Sequence, residues 1–316
     1  MPGVTDRPPL MLLDTASLYF RAYFGVPDTM TAPDGTPVNA VRGLLDFVAR
    51  LVADHSPGAV VACWDDDWRP AWRVALLPSY KAHRVVEEVP TAATPDVEET
   101  PDPLAVQVPL IAETLGLLGV PVVGAPRHEA DDVIGTLATG AGRPVDVVTG
   151  DRDLFQLVDD DARVRVLYTA RGVGRIEVVD AARVRERHGV EPRQYADYAV
   201  LRGDPSDGLP GVTGIGDKTA ARLLAAHGDL RGILRAAAAG TGPAARQAQR
   251  LAAASDYLVA AVRVVEVVRD LDLPRERLAP APWTDADGAA WQAYAQRWGL
   301  GGSADRAAAA LAPLRP

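Results

Sequence analysis

Residues 10–14 read Leu-Met-Leu-Leu-Asp, a short apolar run that ends in a carboxylate. Residues 58–65, Gly-Ala-Val-Val-Ala-Cys-Trp-Asp, repeat the pattern, and residues 144–151, Pro-Val-Asp-Val-Val-Thr-Gly-Asp, follow it more loosely. Apolar runs of this length with many β-branched side chains are typical of strands that are buried on both faces of a sheet. The three runs therefore predict three buried strands, each with an acidic residue at its end.

Helical patterns alternate with these strands. They cover roughly residues 38–53, 104–118 and 129–138. Alternation of strands and helices predicts an α/β fold with a parallel sheet. Ligands of such sheets bind beyond the carboxyl ends of the strands. Because Asp14, Asp65 and Asp151 lie at those ends, we expect them to meet in one negatively charged pocket.

The chain divides into regions of different composition. Residues 1–180 carry the strand–helix pattern, whereas residues 181–302 are helical and rich in alanine. Within the first region, residues 78–103 are rich in Pro, Thr, Glu and Asp and show little apolar periodicity, which predicts a mobile segment over the sheet edge. Residues 303–316 have the composition of a frayed tail.

Composition also narrows the class of protein. The single cysteine, Cys63, excludes an intramolecular disulfide framework and a thiolate zinc cluster, and it fits a reducing cytoplasm. We expect no signal peptide and no membrane span, because the required apolar runs are absent. A net charge of −9 taken alone argues against a nucleic-acid partner. Acids gathered around metal ions are neutralised locally, however, so the charge does not exclude that partner.

Carboxylates occur in three further tight groups. The first, His-Glu-Ala-Asp-Asp at residues 128–132, opens a predicted helix, and Glu129 and Asp132 share a face because they are three residues apart. The other two groups are Asp-Arg-Asp at residues 151–153 and Asp-Pro-Ser-Asp at residues 204–207. With the strand-end acids, the set has nine members: Asp14, Asp65, Glu129, Asp131, Asp132, Asp151, Asp153, Asp204 and Asp207.

Clustered carboxylates repel one another unless cations compensate them. Hard oxygen ligands suit Mg²⁺ or Mn²⁺, and two such ions about 4 Å apart can activate a water and stabilise the leaving oxygen of a phosphodiester. Each group alone also has a structural explanation, because acids favour the first turn of a helix and Asp is common in turns. Their occurrence together favours a metal site.

In order and spacing, these acids resemble those of the bacterial 5′ nuclease family. That family comprises the N-terminal 5′–3′ exonuclease domain of DNA polymerase I and its stand-alone relatives, the bacterial flap endonucleases. Three longer motifs carry the resemblance too: Leu-Tyr-Phe-Arg-Ala-Tyr-Phe at 18–24, Ser-Tyr-Lys-Ala-His-Arg at 79–84, and Gly-Asp-Pro-Ser-Asp-Gly-Leu-Pro-Gly-Val at 203–212. The resemblance extends over about residues 10–275 and implies the stand-alone form.

The resemblance implies a PIN-like nuclease domain at residues 1–180. A helical module would follow at 181–302, with a helix–three-turn–helix motif at about 203–228. It also implies Mg²⁺ or Mn²⁺ as cofactor, DNA with 5′ ends, flaps or nicks as substrate, and a monomeric, nucleoid-associated protein. Carried over, the first ion would be surrounded by Asp14, Asp65, Glu129 and Asp131. The second would be served by Asp151, Asp153, Asp204 and Asp207, with Asp132 near both.

Basic residues in two of the motifs are expected at the reacting end of the DNA. Lys81 and Arg84 are three residues apart, so on a helix they would share a face, and they are expected to be phosphate contacts at the reacting end. Tyr80 beside them is placed to stack on an unpaired base. Arg21 in the first motif is expected to act in catalysis with Lys81 and Arg84.

A second DNA contact is expected near residues 211–220. Glycines before a helix let backbone amides approach phosphate closely, and a helix N-terminus favours anions. The residues concerned are Gly211, Gly214, Gly216 and Lys218. In the family this hairpin grips duplex DNA without reading its sequence, often together with a K⁺ ion.

Two features depart from the family pattern. Thr15 follows Asp14 where the family usually has glycine, and the segment after Arg84 is longer and more acidic than is common. The second departure concerns the threading arch of the family and not the metal site. Two alternatives remain: a branched-DNA-binding relative with little or no cleavage, and a PIN-type ribonuclease. All nine acidic positions are filled, which argues against the first; the hairpin and the 79–84 motif argue against the second.

Overall fold

The computed structural model describes residues 7–87, 96–275, 278 and 282–315. Its strands there are β1 Leu10–Asp14, β2 Ala59–Cys63, β3 Val85–Glu87, β4 Val97–Glu98, β5 Val122–Val123, β6 Val145–Thr149, β7 Val164–Tyr168 and β8 Glu177–Val179. Its α-helices are α1 Thr15–Gly25, α2 Asn39–His55, α3 Ala71–Leu76, α4 Asp102–Ala105, α5 Gln107–Leu117, α6 Ala130–Ala138, α7 Ala181–His188, α8 Tyr195–Arg202, α9 Asp217–His227, α10 Leu230–Ala238, α11 Gly242–Ala245, α12 Ala248–Ala253, α13 Ser255–Val265, α14 Asp285–Arg297 and α15 Gly301–Leu311.

A six-stranded sheet in the order β5-β2-β1-β6-β7-β8 forms the centre of the protein. Strand β1 pairs in parallel with β2 and with β6, and only β8 runs antiparallel to its neighbour. The predicted α/β fold with a parallel sheet is confirmed. The register places Asp14 opposite Cys63, so the acids that follow the strands emerge at one edge.

Both faces of the sheet are covered, which explains the continuous apolar runs. Along β1, Leu10 and Leu12 pack on one side with residues of α6 and the helical module. Met11 and Leu13 pack on the other side with residues of α2. Side chains of a strand alternate between faces, so a strand with two buried faces is apolar at most of its positions.

The residues predicted to form a helix–three-turn–helix, about 203–228, comprise the connection between α8 and α9 and helix α9 itself. Residues 203–216 connect these helices, and the loop is anchored because Val212 and Ile215 are buried. The N-terminus of α9 follows Gly216, as the sequence predicts.

The ends of the segment at 78–103 are ordered by specific contacts. Strands β3 and β4 pair in antiparallel fashion, and Trp68 Nε1 donates to the Asp96 carbonyl at 2.7 Å. Arg69 forms an ion pair with the Asp96 carboxylate at 2.5 Å. The prediction of a mobile segment is wrong for these described ends, whereas residues 88–95 lie outside the described part of the chain.

The prediction of a frayed tail at 303–316 is wrong. Helix α15 packs against α2, and its residues Ala304, Ala307 and Leu311 are buried. The alanines lie three residues apart on one face, and their small side chains let the two helices approach closely. Helix α14 also joins the α2 side of the sheet through buried Trp291, so residues 285–302 do not belong with the helical module.

Within the described residues, we find no helix with the length and hydrophobicity of a membrane span.

Candidate active site

The acids at the strand ends are oriented by short local hydrogen bonds. Asp14 caps α1 by accepting from the Ser17 amide at 3.2 Å, and its other oxygen accepts from Thr149 Oγ1 at 2.6 Å. Thr149 Oγ1 in turn accepts from the Asp151 amide at 2.8 Å. A single buried hydroxyl at the end of β6 thus links two of the predicted ligands across neighbouring strands.

Asp65 follows β2 and points toward the N-terminus of α6. Its Oδ1 accepts from the Ala130 amide at 2.7 Å, in the first turn of the helix that carries Glu129 and Asp131. A helix N-terminus favours such a carboxylate. The sheet edge and α6 therefore meet at one cleft. Five of the nine predicted acids line it: Asp14, Asp65, Glu129, Asp131 and Asp151.

The electrostatics of the cleft show uncompensated negative charge. Burial raises the pKa of Asp14 to about 7, a rise that the Thr149 hydrogen bond opposes and the charge of Asp65 reinforces. Burial together with the charges of Asp151 and Asp14 raises the pKa of Asp131 well above its ordinary value. Crowded carboxylates of this kind gain most from a cation that binds between them.

The other predicted acids of the second ion, Asp153, Asp204 and Asp207, do not line this cleft. Asp153 is buried, and among the described residues its Oδ1 has no hydrogen-bond partner. Burial and the charges of Asp151, Asp207 and Asp204 raise its pKa well above the ordinary range. Burial raises the pKa of Asp207 to about 6, although the charge of Lys81 lowers it.

Two arginines hold Asp204, the remaining acid of this group. Arg202 Nη2 donates to Asp204 Oδ2 at 3.1 Å, and Arg152 Nη2 lies 4.0 Å from the same oxygen. The Ser206 amide donates to the other oxygen at 3.0 Å. Asp204 is therefore compensated by protein groups to a greater degree than Asp153.

The chemistry of the site fits divalent ions, although the side chains do not form a ready-made cage. Within the described residues, no three Asp, Glu, His or Cys side chains converge as ligands of a single ion. The donors are nevertheless all carboxylate oxygens, which suit Mg²⁺ or Mn²⁺ and exclude a thiolate site. The unpartnered Oδ1 of buried Asp153 is the kind of atom that such an ion satisfies.

Glu129 is held by protein cations. Lys81 Nζ donates to Glu129 Oε2, and Arg73 Nη1 donates to Oε1 at 3.1 Å. Tyr80 donates its hydroxyl to the same Oε1 at 2.7 Å, and its ring is buried. The prediction that Tyr80 stacks on a base is wrong for this arrangement, because the ring belongs to the core and is not accessible to DNA.

Asp132 is a structural residue. It is completely buried, its two oxygens accept from the Arg73 guanidinium at 2.8 Å each, and Oδ1 also accepts from the Val268 amide at 2.9 Å. Asp132 does not line the acidic cleft. Contrary to the prediction that it lies near both ions, Asp132 is turned away from the cleft, because the phase of α6 directs it toward Arg73 while the preceding Asp131 faces the cleft.

Lys81 and Arg84 both reach the cleft, but not for the predicted reason. Lys81 has a φ of 48° and precedes a 3₁₀ helix at Ala82–Arg84, so the two side chains are not a helical face. Arg84 donates to the Ser206 carbonyl at 2.7 Å and to Asp207 Oδ1 at 3.3 Å, and the Lys81 amide donates to the Asp207 carbonyl at 3.1 Å. The base of the 78–103 segment is thus joined to the helical module.

Arg21 lies beside the acidic cleft without lining it. Its Nη1 donates to the Ala170 carbonyl at 3.3 Å, in a neighbouring depression that also contains Phe20 and Phe24. A catalytic role would require Arg21 to lie among the acids. The structure does not place it there. Residues that the sequence interpretation missed include Arg73, Thr149 and Glu98, of which Glu98 lines the cleft directly.

The glycines of the hairpin differ in whether the fold requires a glycine at their positions. A Cβ at Gly211 would lie 2.6 Å from the Gly203 nitrogen, so the fold itself requires this glycine. Gly214 has a φ of +80°, which favours glycine regardless of ligand. Gly216 has an ordinary extended conformation and open space where its Cβ would be, and Lys218 is exposed in the following turn.

A parallel α/β sheet with crowded carboxylates at one edge, joined to a helical module, is the architecture of a resolvase-like nuclease. The model of the "5'-3' exonuclease, N-terminal resolvase-like domain" matches residues 9–189, and that of the "5'-3' exonuclease, C-terminal SAM fold" matches residues 190–287. The chain therefore belongs to the 5′-3′ exonuclease family and is an enzyme of that class.

Relatives of similar length agree with this assignment. A 5'-3' exonuclease of Streptomyces coelicolor is 61% identical over 94% of this chain and 98% of its own length. A 5'-3' exonuclease of Mycobacterium tuberculosis is 50% identical over 98% of this chain and 99% of its own. The fold is similar to that of the bacteriophage T5 flap endonuclease solved with DNA and metal ions, with a TM-score of 0.61 at 17% identity, covering 97% of this chain and 98% of that chain.

Proposed function

We propose that the protein is a structure-specific 5′ nuclease that hydrolyses phosphodiesters at DNA 5′ ends and 5′ flaps with two divalent ions. One observation carries the proposal. Asp14, Asp65, Asp131 and Asp151 arrive from three strand ends and one helix in a single cleft, and burial and mutual repulsion raise the pKa of Asp14 and Asp131. Such an arrangement is unfavourable for the fold alone and favourable for binding Mg²⁺ or Mn²⁺.

In this proposal the carboxylates serve two neighbouring ions. Asp14, Asp65, Glu129 and Asp131 would hold one ion at the sheet edge. Asp151, Asp153, Asp204 and Asp207 would hold the other, toward the helical module. Bound ions supply an activated water and neutralise charge on the leaving 3′-oxygen, so the products would carry a 5′-phosphate.

The chain's own cations position the reacting phosphate. Lys81 and Arg84 line the cleft with the acids, so each can exchange its carboxylate partner for a phosphate oxygen when DNA and ions arrive. Charge-assisted hydrogen bonds from such groups strengthen as negative charge develops in the transition state. Arg84, with a side chain 35% exposed, is the more accessible of the two.

The hairpin before α9 would hold the duplex. The first amides of α9 and the small Gly216 offer an anion site without sequence preference, and a K⁺ ion at this hairpin belongs to the same proposal. Because the loop at Asp207 contacts Lys81, duplex held at the hairpin would be kept in register with the cleft.

A single assay tests the proposal. A 5′-labelled flap substrate is incubated with the protein and Mg²⁺, Mn²⁺ or EDTA, and cleavage is expected with either ion and none with EDTA. Asp151→Asn should abolish cleavage while leaving the fold intact, because one of several crowded charges is removed. The exposed Asp54→Asn serves as the control. Cleavage in EDTA, or near-normal turnover by Asp151→Asn, would contradict the two-ion site.

A further inference from the structure

A second cleft lies between α7, α8 and α9, on the helical side of the acidic groups. Its walls carry four cationic side chains from four different parts of the chain: Arg152, Arg187, Arg202 and Lys218. His188 and Tyr198 also line it, and Asp217 is the one acidic side chain among its described lining residues. None of the three arginines was expected at a binding site from the sequence.

The positive charge of this cleft is only partly compensated. The one lining carboxylate, Asp217, already accepts from the Tyr198 hydroxyl at 2.8 Å and lies 3.8 Å from Arg202 Nε. Among the described residues, Lys218 forms no ion pair. Burial, together with the charges of Arg187, Arg152 and Arg202, lowers the pKa of His188 to about 4. A positive region of this kind stands out in a chain with a net charge of −9.

The cleft has one of the two proposed DNA contacts at each end: the acidic groups at one end and the hairpin at the other. At one end, Arg202 and Arg152 approach Asp204, 3.1 Å and 4.0 Å from its Oδ2. At the other end, Lys218 is in the first turn of α9, two residues after the hairpin glycine Gly216. The cleft therefore lies between the acidic groups and the hairpin, with cationic side chains at both ends.

The side chains are also arranged for anion recognition. Arg202 lies over the Tyr198 ring at 5.4 Å from its centroid, which restrains the guanidinium. Arg187 pairs with Glu177 at 2.8 Å, but Glu177 is also held by Arg183, so Arg187 can release it without leaving an unpaired acid. Guanidinium groups in such positions bind phosphate in bidentate geometry.

We propose that this cleft binds consecutive phosphodiesters of one DNA strand between the acidic cleft and the hairpin, with Arg187 as its outer contact. This inference rests on the proposed nuclease function and extends the DNA footprint onto α7. The ligand is the internal sugar–phosphate backbone, recognised through charge and not through base sequence.

Helix α7 supplies a matched pair of variants. Arg187→Gln removes a lining cation, whereas Arg185→Gln removes a neighbouring arginine of the same last turn that pairs with Glu191 at 2.9 Å and does not line the cleft. Affinity for a flap duplex is measured in EDTA at several salt concentrations. Arg187→Gln should weaken binding several-fold and reduce the slope of log affinity against log salt by about 0.9, the change for one lost phosphate contact.

Amine chemistry provides a second readout. The chain has only two lysines, Lys81 and Lys218, so acetylation followed by peptide mass spectrometry reports on each separately. Flap duplex should protect Lys218 in the wild type and less so in Arg187→Gln at equal DNA concentration. Inorganic phosphate at the same ionic strength should protect it little.

Equal affinities and salt slopes for the two variants, or Lys218 left unprotected by DNA, would overturn the inference. These outcomes do not depend on cleavage. If the wild type bound flap DNA as described but failed to cut it with Mg²⁺ or Mn²⁺, the proposed function would fail while the cleft assignment stood.

Discussion

Both carboxylate oxygens of Asp132 accept hydrogen bonds from the guanidinium of Arg73, each at 2.8 Å. The same guanidinium donates to Glu129 at 3.1 Å and to the Val264 carbonyl at 2.9 Å, while the Val268 amide donates to Asp132. A single buried arginine therefore ties α3 to α6 and to the end of α13. Through this network Arg73 also holds Glu129 in its position at the cleft.

The neighbouring acids Asp131 and Asp132 should respond in opposite ways to the same substitution. Asp132→Asn should lower the free energy of unfolding by about 3 kcal/mol, because it removes the carboxylate that accepts two hydrogen bonds from the buried Arg73 and leaves Glu129 to balance that charge. Asp131→Asn should leave stability unchanged or raise it, because its carboxylate is crowded by other acids, and should abolish cleavage. Urea unfolding and a flap assay measure both. If Asp132→Asn were stable but inactive, Asp132 would instead be assigned to the metal site.

Lys81 and Arg84 should act on the chemical step. Lys81→Ala and Arg84→Ala should each slow single-turnover cleavage ten-fold or more, on the order of 1.4 kcal/mol or above, with little change in affinity for plain duplex. His83→Ala, an exposed residue of the same 3₁₀ helix, is the control. Rates equal to the control, or a loss accounted for by weaker duplex binding, would remove the two residues from the mechanism.

Two hairpin glycines should separate folding from DNA binding. Gly211→Ala should destabilise the protein, because its Cβ would meet the Gly203 backbone at 2.6 Å. Gly216→Ala should leave unfolding unchanged, because the position is open, yet weaken duplex binding to a similar degree for unrelated sequences. Gly116→Ala, another open position, is the control. Unchanged affinity of Gly216→Ala would mean that no phosphate approaches there.

His188 should make the protein sensitive to acid. Its folded-state pKa of about 4 lies below the ordinary value of 6.5, so the unfolded chain binds its proton more readily. The stability that depends on neutral His188 is present above pH 6.5 and is lost as the pH falls toward 4. Burial and the charges of Arg187, Arg152 and Arg202 disfavour the charged ring, whereas the charge of Asp217 favours it. His188→Phe should therefore lose less stability than the wild type between pH 7.5 and 5.0 in urea titrations; equal losses would contradict this assignment.

Helix α15 should contribute to the stability of the nuclease domain. Leu311→Ala should cost about 2–3 kcal/mol, because the side chain is buried in the cluster shared with α2. The exposed Asp305→Ala on the same helix should have little effect. The free energies of unfolding of the two variants are measured and compared. Equal stability would mean that the end of the chain is dispensable after all.

Much of the fold and of the site could be predicted because the signals are local. The apolar runs at 10–14 and 144–151 became β1 and β6 within two residues, and the helix predicted at 129–138 became α6. The role of Asp132 could not be predicted, since Arg73 is 59 residues distant in sequence. Likewise, the burial of alanine-rich residues 303–316 could not be predicted from their sequence, because it depends on packing against α2.

The sequence by itself determined the parallel α/β sheet and the convergence of Asp14, Asp65 and Asp151. Each acid ends or closely follows a buried strand, so its position follows from the strand direction. Only the tertiary structure decided which charges share a surface. The phase of α6 gives Asp131 to the cleft and Asp132 to Arg73, and packing of α7, α8 and α9 gathers distant arginines, because electrostatic contacts depend on distances in space that spacing along the chain does not specify.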